Sequence, residues 1–212
     1  MSEEILAYAS VLSLSRADIK TLNIRDAYAL HKVVYGLFED VRTHAEKHSG
    51  AASGIAYADK GGDFDTHQIL MLSNRKPHQT PQFCVVKTRP IHAGFLAHER
   101  YAFETTLNPG KRDKQTGKVV PIRGRKGVEQ WFKTRAPESW GFSVNPENLQ
   151  TGQLSVQTFE KAGLTITHGS AALKGELTVI DRDRFIQSFT QGIGRGRAFG
   201  FGLLQIVPLT AI

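Results

Sequence analysis

Apolar residues cluster in a β-permissive pattern over Ile5–Leu14, then change to helical spacing after Asp26. The first run predicts an opening strand. In the second, Leu30, Val33, Val34, Leu37 and Phe38 fall on one stripe of Ala27–Phe38, which predicts an amphipathic helix packed on a sheet. Strand patterns follow at Ala51–Ala58 and His67–Ser73, divided by the turn signal Lys60-Gly61-Gly62-Asp63. Pro77 and Pro81 bracket a loop where a second helix is expected, and Gln82–Lys87 reads as a closing strand.

A mixed linker near Arg89–Glu99 separates this half from a second one. Tyr101–Leu107 starts again as a strand. Asn108–Lys118 is a basic turn between strand-like runs, and Val128–Thr134 is helical. Strand patterns recur at Leu154–Phe159, Leu164–His168 and Ala172–Ile180. Asp181 then caps a short helix, Arg182–Thr190, and a glycine-rich turn leads into the apolar segment Leu203–Leu209 as the last strand. The order within the first half repeats in the second. The expected class is α+β, with two halves at 1–90 and 99–212, each an antiparallel sheet with helices on one face. The first half lacks a clear second helix.

Composition narrows the partners. The 212 residues, 40% of them hydrophobic and 22% charged, are enough to bury a core and exclude a disordered chain. Lys and Arg number 27 against 20 Asp and Glu, giving a net charge of +7, which favours a polyanionic partner. Cys84 is the single cysteine, so an intrachain disulfide and a cysteine-based zinc cluster are excluded. The acidic N-terminus lacks the plan of a signal peptide, and no apolar run approaches about 20 residues. A cytoplasmic chain with no membrane partner is expected.

The densest motif is Gln191-Gly192-Ile193-Gly194-Arg195-Gly196-Arg197-Ala198-Phe199-Gly200-Phe201-Gly202-Leu203-Leu204, which holds five of the 20 glycines. Glycine lets another molecule approach the backbone closely, successive N–H groups can form an anion-binding concavity, and arginine adds a planar permanent charge. The turn therefore reads as a phosphate-backbone contact, beside the plainer reading in which its glycines serve only turning. Neither the Walker A pattern nor the dinucleotide fingerprint fits in any register. Basic groups at Lys111, Arg112 and Lys114, and at Arg123, Arg125 and Lys126, are each ordinary as solvated surface. With Arg195, Arg197 and the backbone of Gly192, Gly194 and Gly196 they make enough contacts for a nucleic-acid footprint. The aromatic motif of sheet-face RNA binders is absent, so the contact expected is with duplex backbone and shape.

Tyr28 and His31 lie three apart on the first helix and project from the same side. Imidazole passes protons in either direction near neutral pH, while the tyrosine suits hydrogen bonding or positioning. One histidine with nearby cations suffices to cleave RNA through its own 2′-hydroxyl without a metal. Equally, the pair reads as a surface histidine beside a half-buried tyrosine. His44, Glu46 and His48 have spacing suited to a shared metal on a helix, but no third ligand follows, so they read as a solvated helix end. His67, His78, His92, His98 and His168 are scattered without ligand spacing. Cys84 sits in a strand as a small core residue, and no serine-hydrolase elbow is present. No metal and no cofactor is expected.

These residues in this order resemble the CasE family of CRISPR-associated RNA-processing endonucleases, of the subtype I-E Cascade complex, in the repeat-associated mysterious protein superfamily. The resemblance spans almost the whole chain. It is carried by Gln191–Leu204 followed by Val207-Pro208-Leu209, by the basic hairpin from Asn108-Pro109 to Val120-Pro121, by Leu173–Leu177, and by Asp26–Lys32. It implies two tandem ferredoxin-like (RRM-like) domains. It also implies metal-independent cleavage of pre-crRNA at the 3′ base of the stem of a CRISPR repeat RNA hairpin, leaving a 2′,3′-cyclic phosphate and a 5′-hydroxyl. The enzyme would stay on the crRNA with the other Cascade subunits. On this resemblance His31 matches the active-site histidine, Tyr28 matches a tyrosine three residues before it, and the supporting cation is left open between Lys161, Lys174 or another residue. The alternative reading is a non-catalytic RNA-binding subunit of a ribonucleoprotein, in which Tyr28 and His31 only pack or stack.

Overall fold

The computed structural model describes residues 4–49, 52–63, 65–78, 84–161 and 163–209. Strand β1 (Ile5–Ser15) leads through a short helix α1 (Arg16–Thr21) to α2 (Ala27–Gly36), α3 (His44–Ser49), β2 (Ile55–Gly62), β3 (Thr66–Ser73) and β4 (Val85–His92). These strands form one antiparallel sheet in the order β2-β3-β1-β4. That is the ferredoxin-like order, with the central pair β3-β1 flanked by the second and last strands. No helix lies between β3 and β4 among the described residues, as the two prolines predict. Pro81, Gln82 and Phe83 lie outside the described residues.

The second sheet uses β5 (Arg100–Leu107), β8 (Phe142–Val144), β10 (Leu164–Val179) and β11 (Gln205–Pro208) in the order β11-β5-β10-β8, with β9 (Gln150–Lys161) added alongside β10. All of these pairs are antiparallel. Helices α4 (Arg125–Ser139) and α5 (Arg182–Gln191) complete a second ferredoxin-like pattern, and β6 (Gly110–Arg112) pairs with β7 (Val119–Pro121) as a separate hairpin. The chain is α+β, with two tandem ferredoxin-like sheets.

Several boundaries differ from the sequence expectation, each for a tertiary reason. The stretch read as a linker is strand as far as His92 and then a 3₁₀ turn, Ala93–Leu96. β4 pairs with β1 from Val85 to His92, and as an edge strand it tolerates Pro90 opposite Tyr8. Leu164–His168 and Ala172–Ile180 are one strand, because β9 supports β10 through Gly169 and Ser170 before β5 takes over at Ala171. Helix α4 is twice the expected length and carries Pro137 in its last turns, with Val128, Phe132 and Ala136 buried at i, i+4 and i+8. The last strand is only Gln205–Pro208, since Leu203 and Leu204 are core residues of the preceding turn.

The two faces of the first sheet bury different residues. Leu12, Leu14, Ile55, Tyr57, Ile69 and Met71 pack with Leu30, Val34, Leu37 and Phe38 of the α2 segment. The alternate positions Ala7, Ala56, Ala58 and Leu72 belong to the same cluster as Phe103, Phe132, Phe142, Phe185 and Phe189 of the second half. Alternation along strands thus gives the first sheet a large-residue face for its own helix and a mostly alanine face that the second half covers. The alanines allow close approach. Ala56→Leu is expected to overpack this shared core and to cost about 1–3 kcal/mol in urea unfolding; unchanged stability would show that the two halves are not in tight contact there.

Candidate nucleic-acid interface and active site

Helix α2 begins where the Asp26 carboxylate accepts the Ala29 N–H at 2.7 Å, which satisfies one of the open N–H groups of the first turn. With its apolar stripe committed to the sheet, Tyr28 and His31 emerge half-buried on the helix flank. Their ring planes are nearly parallel, with centroids 6.1 Å apart. His31 also lies 4.2 Å from the Tyr35 ring, and the Tyr35 hydroxyl shares a 2.9 Å hydrogen bond with Ser53. Lys32 places its ammonium 4.4 Å from the centre of the Tyr28 ring.

The other wall of this site comes from the far end of the chain. The Phe199 ring lies 5.5 Å from His31, and behind it stand Phe159 of β9 at 4.5 Å and His168 of β10 at 5.4 Å. Phe199 ends a 3₁₀ turn, Arg197–Phe199, set between left-handed Gly196 and Gly200. The buried Tyr57 of β2 donates its hydroxyl to the Ala198 carbonyl at 3.0 Å and so ties this turn to the first sheet. Burial raises the Tyr57 phenol well above its ordinary range, so it stays a donor. Burial, helped by the charge of Arg195, pushes the His168 imidazole below its usual pKa, so it is neutral at pH 7.

The glycine-rich turn is closed on itself. Ile193 donates to the Gly202 carbonyl and Gly202 to the Thr106 carbonyl, each at 2.8 Å. Gly202 has φ +81°, and a Cβ there would stand 2.1 Å from the Ile193 carbonyl oxygen, so no other residue fits. Gly192, at φ +75°, rests against the Ala56 methyl of the alanine face. The N–H groups of Ile193 and Gly202 are therefore spent inside the fold.

Arginines of the same turn face a groove of about 1060 Å³. The β6–β7 hairpin, α4, α5 and the turn wall it, and among the expected contacts Lys111, Arg112, Gly192, Gly194, Arg195 and Arg197 line it. Arg135 and Gln130 of α4 join them, which helical spacing from the basic start of that helix would have found. Arg197 also braces the turn, donating to the Gln191 carbonyl at 3.1 Å, and Arg112 holds the hairpin through the Gly117 carbonyl at 2.7 Å. Lys114, Arg123, Arg125 and Lys126 are exposed at the hairpin tip and the first turn of α4, outside the groove wall, and Gly196 sits against the Phe201 ring.

The remaining candidates do not gather. Glu46 accepts from the N–H and hydroxyl of Thr43, as the cap of α3, and among the described residues no group of three His, Cys, Asp or Glu side chains lies together as a metal site. The Lys161 side chain lies outside the described residues. Lys174 is exposed opposite Glu104, six positions along β10 from His168, or about 20 Å of strand. Cys84 is half-buried and its thiol is pushed up in pKa by burial. Among the described residues no helix is long and apolar enough to cross a membrane.

Known proteins share this fold. The family model described as CRISPR associated protein matches residues 8–208. The chain is 28% identical over 133 residues to the CRISPR-associated endoribonuclease Cse3 of Thermus thermophilus, covering 58% of this chain and 63% of that protein. It is 24% identical over 207 residues to the CRISPR system Cascade subunit CasE of Escherichia coli, covering 92% of this chain and 99% of that one. Its fold matches Thermus thermophilus Cse3 bound to an RNA representing a pre-cleavage complex with a TM-score of 0.73 at 21% identity, over 95% of this chain and 99% of that one. With a family match across residues 8–208, the chain belongs to the CRISPR-associated protein family.

Proposed function

We propose that this chain is a metal-independent endoribonuclease that binds the stem-loop of CRISPR repeat RNA and cleaves pre-crRNA at the 3′ base of the stem. It then stays on the crRNA as a Cascade subunit, in the cytoplasm. The observation that carries the reading is the contact between His31 and Phe199. It joins a side chain suited to proton transfer to the turn whose arginines line the groove. Relatives named as an endoribonuclease and as a Cascade subunit support it.

The stem backbone lies in the groove against Lys111, Arg112, Arg135 and Arg195, where guanidinium and ammonium groups meet phosphates. The scissile phosphate reaches the edge at His31. There the 2′-hydroxyl loses its proton to a general base, its oxygen bonds to phosphorus, and the P–O5′ bond breaks. The products are a 2′,3′-cyclic phosphate and a 5′-hydroxyl, whose leaving oxygen takes up a proton. His31 serves as the acid or base of this exchange. Tyr28 orients the nucleophile or donates to the phosphorane. Lys32, on the Tyr28 ring, brings a positive charge beside it. The two halves, 1–90 with the catalytic helix and 99–212 with the groove, divide the labour between chemistry and binding.

His31→Ala is expected to bind a repeat hairpin as the unaltered chain does and to cut it roughly 10²–10⁴-fold more slowly, measured by single-turnover cleavage in EDTA. Binding without any cutting by the unaltered protein, across several cognate repeats, would favour the non-catalytic subunit instead. Replacing Lys111 and Arg195 together with Ala should lower the slope of log affinity against log salt by about two, one for each phosphate contact. An unaltered slope would place the backbone elsewhere.

A further inference from the structure

Across the glycine-rich turn from the basic groove lies a second cleft, of about 700 Å³, within the range of small-molecule sites. The turn is the ridge between them. Gly192, Gly194, Arg195 and Arg197 face the groove, whereas Phe199, Gly200 and Phe201 face the cleft. His31 touches that ridge at Phe199, and its helix neighbour Leu30 lines the cleft. An RNA strand whose stem fills the groove and whose cut lies at His31 must cross the ridge there and enter the cleft.

The chemistry of the cleft differs from that of the groove. Arg25 is the one Lys or Arg among its lining residues. Two carboxylates also line it. Asp26 caps α2, and Asp59 lies 2.7 Å from His67 Nε2. Such a wall does not favour phosphate. Along the opposite wall, Thr106, Ser155, Gln157, Thr158 and Ser170 present hydroxyls and one amide. That set suits the edge of an unpaired base, which proteins read by hydrogen bonds once it is splayed from its neighbours.

Gln157 is the distinctive group. Its Oε1 is shielded from solvent and has no hydrogen-bond partner among the described residues, as is true of Nδ1 of His168 directly across the strand pair. A buried acceptor left unmet is costly, and its presence calls for an explanation. The terminal torsion of glutamine is soft, so the amide turns toward a ligand at little cost. Its oxygen accepts from an exocyclic amino group while its NH₂ donates to the adjacent ring nitrogen, the bidentate pairing of glutamine with adenine.

We propose that this cleft holds the first unpaired nucleotide 3′ of the cut and that Gln157 reads its base, favouring adenine. The proposal rests on the cleavage reading above. Three hairpins serve as probes, with adenine, uracil or an abasic site at that position. In the His31→Ala background, affinity should fall about tenfold or more from adenine to abasic, the worth of one bidentate contact. In His31→Ala/Gln157→Leu the three hairpins should bind alike. Equal affinity of the three for His31→Ala itself overturns the proposal, as does discrimination that survives Gln157→Leu. If His31→Ala still cuts, the catalytic reading falls on that result alone. If it is inactive yet indifferent to the flanking base, only the base site falls.

Discussion

Everything functional in this chain depends on how the turn 192–204 is seated between the two sheets. Three kinds of contact hold it. The Tyr57 hydroxyl reaches the Ala198 carbonyl, Gly192 abuts Ala56, and Ile193, Gly202 and Thr106 are linked backbone to backbone. The first two contacts come from the first sheet and the third from the second. A turn so placed feels both halves at once. Its glycines are needed less for exposing amides to an anion than for folding tightly enough to leave Phe199 against His31. Substituting Gly202 would force the Ile193 carbonyl aside and displace both the arginines and the ring they flank.

This seating also determines which RNA surface is available. In sheet-face RNA binders the open side of a ferredoxin-like sheet stacks bases. Here the corresponding side of the first sheet is alanine-rich and buried against the second half. Closing that face stabilises the pair of sheets and moves recognition to the rim, where α4, the hairpin and the turn converge. Phosphate contacts at a rim position a duplex by shape and charge. His31 stands against Phe199 of the turn that walls the groove, and helix α2 delivers it there because its stripe is engaged on the opposite face.

Much of the architecture was legible in the chain, because it rests on local periodicity. The stripe Leu30–Phe38 and the Asp181 cap each signalled an element that formed. What stayed hidden depended on pairing at a distance. Gly169 and Ser170 look like a break until β9 lies beside them, and Arg89-Pro90 looks like a linker until β1 does. The site divides in the same way. His31 and the arginines of the turn stood out by residue type. Phe199, His168 and Gln157 did not, since an aromatic, a lone histidine and a glutamine acquire meaning only from the β9–β10 register and the fold of the turn.

The neutral state of His168 completes the logic of the ring cluster. It stands behind Phe199, with Arg195 near enough to oppose its protonation. A charged imidazole there would be desolvated against Phe159, Phe199 and Phe201 and would repel the arginine that faces the groove. Kept neutral, it acts as one more flat surface supporting Phe199. Two histidines therefore share one phenylalanine. His168, half-buried among rings, is held uncharged for packing. His31, half-buried at the helix flank, meets the same ring from the other half of the chain. The same aromatic residue supports both, and it belongs to the turn whose arginines line the groove, so whatever settles in the groove bears directly on the wall of the His31 imidazole.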